Sequence, residues 1–142
     1  IKQNGSIFSR DFPLGGNTIT EAIMQKMSIG VEEAEQVKRN GYEGDLLDFA
    51  EPIMLEIERS VDYFRSAFGG EYIKQVLLSG GSCKIKGFSE ALMQRLSIET
   101  EIANPFRNIS FGSGLDAAWI NEMAPLFTAC VGLGLRRKGD KW

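Results

Sequence analysis

The run from Ile73 to Leu96 constrains the fold most. Val76, Leu77 and Leu78 form an unbroken apolar stretch, Gly80-Gly81-Ser82 follows it, and Phe88, Leu92 and Leu96 then recur at spacing four. An unbroken apolar run ending in glycine reads as a central strand covered on both faces. Spacing of four reads as a helix with one apolar side. Glu99 to Ala103 alternates apolar and polar residues before Asn104-Pro105, which gives a second strand and a turn. Strand, helix, strand is a crossover unit, so the predicted class is α/β: a mixed sheet with helices packed on it. Gly80-Gly81-Ser82 sits at the C-terminal end of the first strand, the edge where open α/β sheets tend to bind ligands. Glycine there lets a flat base or a ribose approach the backbone. A tight strand-to-helix turn accounts for the same residues, and spacing alone does not separate the two.

Upstream, Gly5 to Asp11 alternates Ile7 and Ser9 against Phe8 and Arg10, the pattern of a half-buried edge strand. Pro13 and Gly15-Gly16 end it. Thr18 to Glu21 spells a capping box, placing a helix start near Ile19, with Ile19, Ile23 and Met27 as its apolar stripe. A second short helix, Val31 to Arg39, stops at Asn40-Gly41. Pro52 is suited to the first turn of a long helix. That helix runs to about Phe68 with the stripe Ile53, Ile57, Val61, Phe64 and Phe68, and Gly69-Gly70 ends it. Asn108 to Met123 has no period and reads as irregular. A last helix of about a dozen residues starts near Pro125; its small residues Ala124, Thr128, Ala129, Gly132 and Gly134 permit close approach to a neighbouring backbone. The expected organisation is a core of residues 1–18 and 43–142 with a small helical lobe, 19–42, inserted in it.

Charge and composition exclude several function classes. The formal charge is -3 over 142 residues, with one short basic cluster, Arg136, Arg137, Lys138 and Lys141, so nucleic acid is not an expected partner. No apolar run reaches membrane-spanning length and no signal peptide is visible, which predicts a soluble, intracellular chain without direct membrane insertion. Cys83 and Cys130 lack Cys or His companions at ligand spacing, and they read as two reduced thiols. The chain has no histidine, which removes Ser-His-Asp and Cys-His catalysis. No P-loop or Gly-x-Gly-x-x-Gly follows a strand.

Other motifs have ordinary explanations. Gly15-Gly16 before a helix can offer amides to an anion, and equally it can be a turn. Glu56 and Arg59, three apart on the long helix, read as an ion pair. Glu32, Glu33, Glu35, Lys38 and Arg39 read as a solvated helix face.

In combination the motifs resemble the actin-like ATPases, and within them most closely the PilM family of type IV pilus assembly. The resemblance lies in Phe8-Ser-Arg-Asp-Phe-Pro-Leu-Gly-Gly-Asn-Thr-Ile-Thr20, Glu56-Ile-Glu-Arg-Ser-Val-Asp-Tyr-Phe64 and the adenosine motif Leu78-Ser-Gly-Gly81. Asn104-Pro-Phe106, Ala124-Pro125 and Gly132-Leu-Gly-Leu-Arg136 follow in the family's order. The resemblance covers nearly the whole chain. It implies a fold similar to actin's second, ribonuclease H-like domain. Gly80 and Gly81 would then face adenine and ribose, with Ser82 and Lys84 beside them. Glu56 and Arg59 would reach in from the long helix, and Gly16 and Asn17 from the other lobe.

The resemblance also implies ATP with Mg2+ as the ligand of the intact protein and a PilN-like inner-membrane protein as partner, with self-association possible. Location would be cytoplasmic, peripheral to the inner membrane through partners. The chain opens on Ile1 and reads as a C-terminal fragment. The family's phosphate loops, and most of its groove for PilN, would precede Ile1, so the fragment alone is not expected to catalyse hydrolysis. Two rivals stay open: an FtsA-like membrane tether and a nucleotide-independent interaction module.

Overall fold

The computed structural model describes residues 5–40, 46–69 and 72–137. Gly41, Tyr42, Gly70, Lys138 and Lys141, on which parts of the sequence reading fall, lie outside these ranges.

The first helix, α1, spans Gly16–Met27 and buries Ile19, Thr20 and Ile23. Its cap differs from the expected box. Gly15 is the N-cap, and Thr18 is the third helical residue, accepting a hydrogen bond from the Gly15 N–H at 3.2 Å. Thr18 therefore supplies the half of the motif that reaches back to the cap, and the helix starts three residues before Ile19. Helix α2, Val31–Asn40, packs on α1 through Ala34, with Glu32 and Glu33 in its first turn and Lys38 and Arg39 in its last. Both ends complement the helix dipole.

Helix α3 spans Leu47–Ala67, five residues earlier than Pro52 suggested. Phe49, Ala50, Ile53 and Met54 are all buried, and their packing outweighs one missing backbone donor. Pro52 sits inside the helix on its exposed side. The segment 6–14 forms no strand. It runs along α3 instead, with the Phe8 ring 5.6 Å from Tyr63, 5.9 Å from Phe64 and 6.2 Å from Phe68. Alternation in a short segment satisfies a half-buried strand and a half-buried extended arm alike. Among the described residues only Gly5 forms an isolated bridge, and no ladder continues from it along 6–14.

The crossover unit is present. Strand β1, Gln75–Leu78, leads through a 3-10 turn at Gly81–Lys84 to α4, Phe88–Leu96, and then to β2, Glu99–Ile102. The strands pair in parallel with Gln75 opposite Glu99 and Leu78 opposite Ile102, so the described sheet is two-stranded and parallel rather than mixed. Its expected double cover is also absent among the described residues. Leu78 is buried, but Leu77 is 62% exposed, because α4 covers one face and nothing described covers the other. Arg95 ties α4 to α3, reaching Glu51 at 2.5 Å and Glu58 at 3.3 Å.

The C-terminal part departs most from the sequence reading. Helix α5, Ala117–Met123, occupies part of the stretch expected to be irregular. Asp116 caps it, accepting from the Ala118 and Trp119 amides at 2.9 and 3.1 Å. At seven residues it is too short to show a period. In place of one terminal helix, a 3-10 turn at Ala124–Phe127 leads to α6, Thr128–Gly134. No residue of α6 is buried, and a Cβ at Gly132 or Gly134 would meet nothing within 4 Å, so these small residues approach no described backbone.

One core joins most of the chain. Ile19, Ile23 and Ala34 of α1 and α2 belong to the same buried cluster as Phe49, Ile53, Leu78, Phe88 and Leu92. No helix of the described residues is long and apolar enough to cross a membrane.

Candidate functional site

The turn after β1 is built by one unusual backbone position. Gly80 has φ +93° and ψ 177°, a region that residues with a Cβ essentially avoid. Its N–H donates to the Pro125 carbonyl at 2.9 Å, which fixes the turn against the 3-10 segment. Cys83 is buried, its Sγ donating to the Gly80 carbonyl at 2.9 Å. Burial pushes its thiol pKa up, so it remains a thiol that supports the turn and is no nucleophile.

The turn faces a cleft of about 720 Å³ whose walls come from four places: the start of α1, the 3-10 turn, the last turns of α2, and the segment Glu122 to Leu126. Of the eight residues singled out in the sequence, Gly16, Gly81, Ser82 and Lys84 line it. Gly16 and Ser82 are close across the cleft: a Cβ on Gly16 would lie 3.8 Å from the Ser82 Oγ and 3.8 Å from the Lys38 Nζ. Gly81 is exposed, and a Cβ there would lie 3.6 Å from the Leu126 Cδ2, an ordinary contact. Packing within the chain does not demand glycine at 81.

The other four stand elsewhere. Gly80 supports the turn without lining the cleft, and Asn17 is exposed beside it. Glu56 and Arg59 are not brought to the cleft. Glu56 accepts from Arg59 at 2.5 Å and from Arg10 at 2.9 Å, so this pair fastens the N-terminal segment to α3. The charged helix at the cleft is α2, whose Glu35, Lys38 and Arg39 contribute to its wall. Those residues had been read as a solvated face. Their spacing of three and four places them on one side of a helix, but only the α1–α2 packing shows that this side meets the turn.

The electrostatics are uneven. Glu35 is held below its ordinary carboxylate value by hydrogen bonds from Lys38 and then Thr20, so it is ionised and paired at neutral pH. Lys84 pairs with Glu122 at 3.1 Å. Arg39 makes no hydrogen bond or ion pair among the described residues. Three cations and two carboxylates therefore line the cleft, a surplus of one positive charge, with Met123, Leu126 and Ile19 supplying an apolar part. Among the described residues no group of three or more His, Cys, Asp or Glu is placed to hold a metal ion.

Comparison with known proteins places the chain in a family. A family model described as Type IV pilus assembly protein PilM matches residues 1–138. Among solved structures, a chain of a PilM-PilN type IV pilus biogenesis complex is similar at 27% identity with a TM-score of 0.70, over 87% of the present chain. The match spans 37% of that longer chain.

Proposed function

The chain belongs to the PilM family of type IV pilus assembly proteins, and from that premise we propose that its cleft is the adenosine-facing wall of an ATP site in an actin-like fold. The observation that carries the proposal is the meeting of Gly81 and Ser82, at the C-terminal end of β1, with Gly16 and the basic end of α2 around one open cleft. The apolar side chains of Met123 and Leu126 suit a base, Gly81 leaves the backbone accessible, and Arg39 carries the charge that favours an anionic ligand. Among the described residues no group of three or more His, Cys, Asp or Glu is placed to hold Mg2+. In the intact protein, a nucleotide that binds one conformation better than another would shift the population toward it. That shift would govern assembly with a PilN-like inner-membrane protein, the partner in the similar solved complex.

The test is titration of the full-length protein with ATP, wild type against Gly81→Val. Because Gly81 is exposed with ordinary backbone angles, the substitution should leave the fold intact and lower the affinity at least tenfold, about 1.4 kcal/mol. Equal affinity in a folded variant would favour the nucleotide-independent module.

A further inference from the structure

The Asn104-Pro105-Phe106 turn does not line the cleft, but it stands beside the turn that does. It follows β2 directly. Leu78 pairs with Ile102, and the Ala103 N–H donates to the Leu78 carbonyl at 2.8 Å, so Gly80 and Asn104 leave the ends of two adjacent parallel strands at the same level. The Asn104 Oδ1 accepts the Phe106 N–H at 2.9 Å, an Asx turn, and its Nδ2 donates to the Asn121 Oδ1 of α5 at 3.4 Å. The Phe106 ring packs on Phe111 at 5.6 Å and on Phe127 at 5.8 Å. None of these three rings belongs to the main core cluster. Phe127 ends the 3-10 turn Ala124–Phe127, whose Pro125 carbonyl accepts the Gly80 N–H at 2.9 Å and whose Leu126 lines the cleft.

From this geometry we infer that Asn104 and Phe106 are positioning residues: their turn, at the end of β2, anchors the C-terminal wall of the cleft and sets where Pro125 and Leu126 stand relative to Gly80-Gly81. Neither lines the cleft. The wall depends on such an anchor because its other ties are slight. The Lys84–Glu122 pair is exposed, with the Glu122 side chain 69% accessible, and exposed pairs contribute little. The Gly80–Pro125 bond fixes one point of a four-residue turn, and the Phe106–Phe127 contact fixes a second, two residues further on. Held at both, the wall can tilt about the anchor but cannot slide off the glycine turn. The role in ligand binding rests on the nucleotide reading above; the anchor does not, since all its contacts are within the chain.

Two measurements on the full-length protein separate them. In 15N-labelled protein without nucleotide, the Gly80 amide should exchange about tenfold faster in Phe106→Ala and in Asn104→Ala than in the wild type, while the amides of α4 keep their protection. In a titration with ATP both variants should bind at least about threefold more weakly, because the wall stands in its binding position for a smaller fraction of the time. Phe106→Tyr, which keeps the ring, should match the wild type in both measurements to within about twofold. A Gly80 amide that exchanges at the wild-type rate in either alanine variant, or protection lost throughout α4, would overturn the anchor. Unchanged ATP affinity in the alanine variants, or an equal loss in Phe106→Tyr, would overturn the positioning role. If the wild type binds no ATP, the nucleotide reading falls, and the Gly80 amide still decides the anchor.

Discussion

Gly80 and Gly81 are adjacent in sequence and opposite in what they tolerate, which makes them a sharp test of the turn. Gly80→Ala puts a Cβ into open space, since nothing lies within 4 Å of it, so any cost comes from the backbone. Holding alanine at φ +93°, ψ 177° costs of the order of 1–3 kcal/mol. If the chain relaxes to escape that strain, it forfeits the Gly80 N–H bond to Pro125, worth about 1 kcal/mol. Either route gives a loss of about 1–3 kcal/mol. In urea, with a slope of about 2 kcal/mol/M, the midpoint should fall by roughly 0.5–1.5 M. Gly81→Ala has ordinary angles and one contact at 3.6 Å with Leu126. It should leave the midpoint in place, or raise it slightly by restricting the unfolded chain by about 0.4–1 kcal/mol. Urea unfolding followed by circular dichroism and tryptophan fluorescence together would measure both. An unchanged midpoint for Gly80→Ala, or an equal fall for Gly81→Ala, would refute this account of the turn.

Two further outcomes follow from the core and the surface pairs. Leu92 of α4 is fully buried in the shared core, so Leu92→Ala should cost about 3 kcal/mol, lowering the calorimetric melting temperature by roughly 10 °C. The Arg95 guanidinium holds the Glu51 carboxyl below its ordinary value, and a group lower in the folded state stabilises the fold above its unfolded value, near 4.5. That contribution is lost as pH falls through the lowered folded value. Glu51→Gln should therefore flatten the stability profile below about pH 4.5 and leave its shape near neutrality unchanged, as read from urea midpoints across pH.

Much of the core was legible because long apolar periods survive in sequence. The stripe Ile53, Ile57, Val61 located α3, and Phe88, Leu92, Leu96 located α4, with the glycine turn between strand and helix falling where the apolar run stopped. Capping and short elements were not legible to the same depth. Thr18 fits both a cap and a third helical position, and α5 is announced by Asp116 alone. The cover of β1 was misjudged because an apolar run reports what a strand can bury against, not what lies there. Half of the candidate site residues meet at the cleft because they sit on the turn itself or at the start of α1. Glu56 and Arg59 do not, and α2 does, because the helix that reaches a cleft is decided by tertiary packing that no local pattern encodes.

The shared core makes the cleft a jaw with one stiff side. Its α1–α2 wall cannot tilt without drawing Ile19, Ile23 and Ala34 out of the cluster that also holds α3 and α4 together. The segment from α5 to Phe127 lies outside that cluster and is held to the turn by the Gly80–Pro125 bond and the Lys84–Glu122 pair. Widening the cleft from the first side draws residues out of the shared core, while from the second it disturbs only the smaller buried patch of Ile120, Ala124 and Pro125. Amide exchange should therefore be faster along residues 117–127 than along 16–27, and a molecule entering the cleft gains room by displacing the C-terminal jaw.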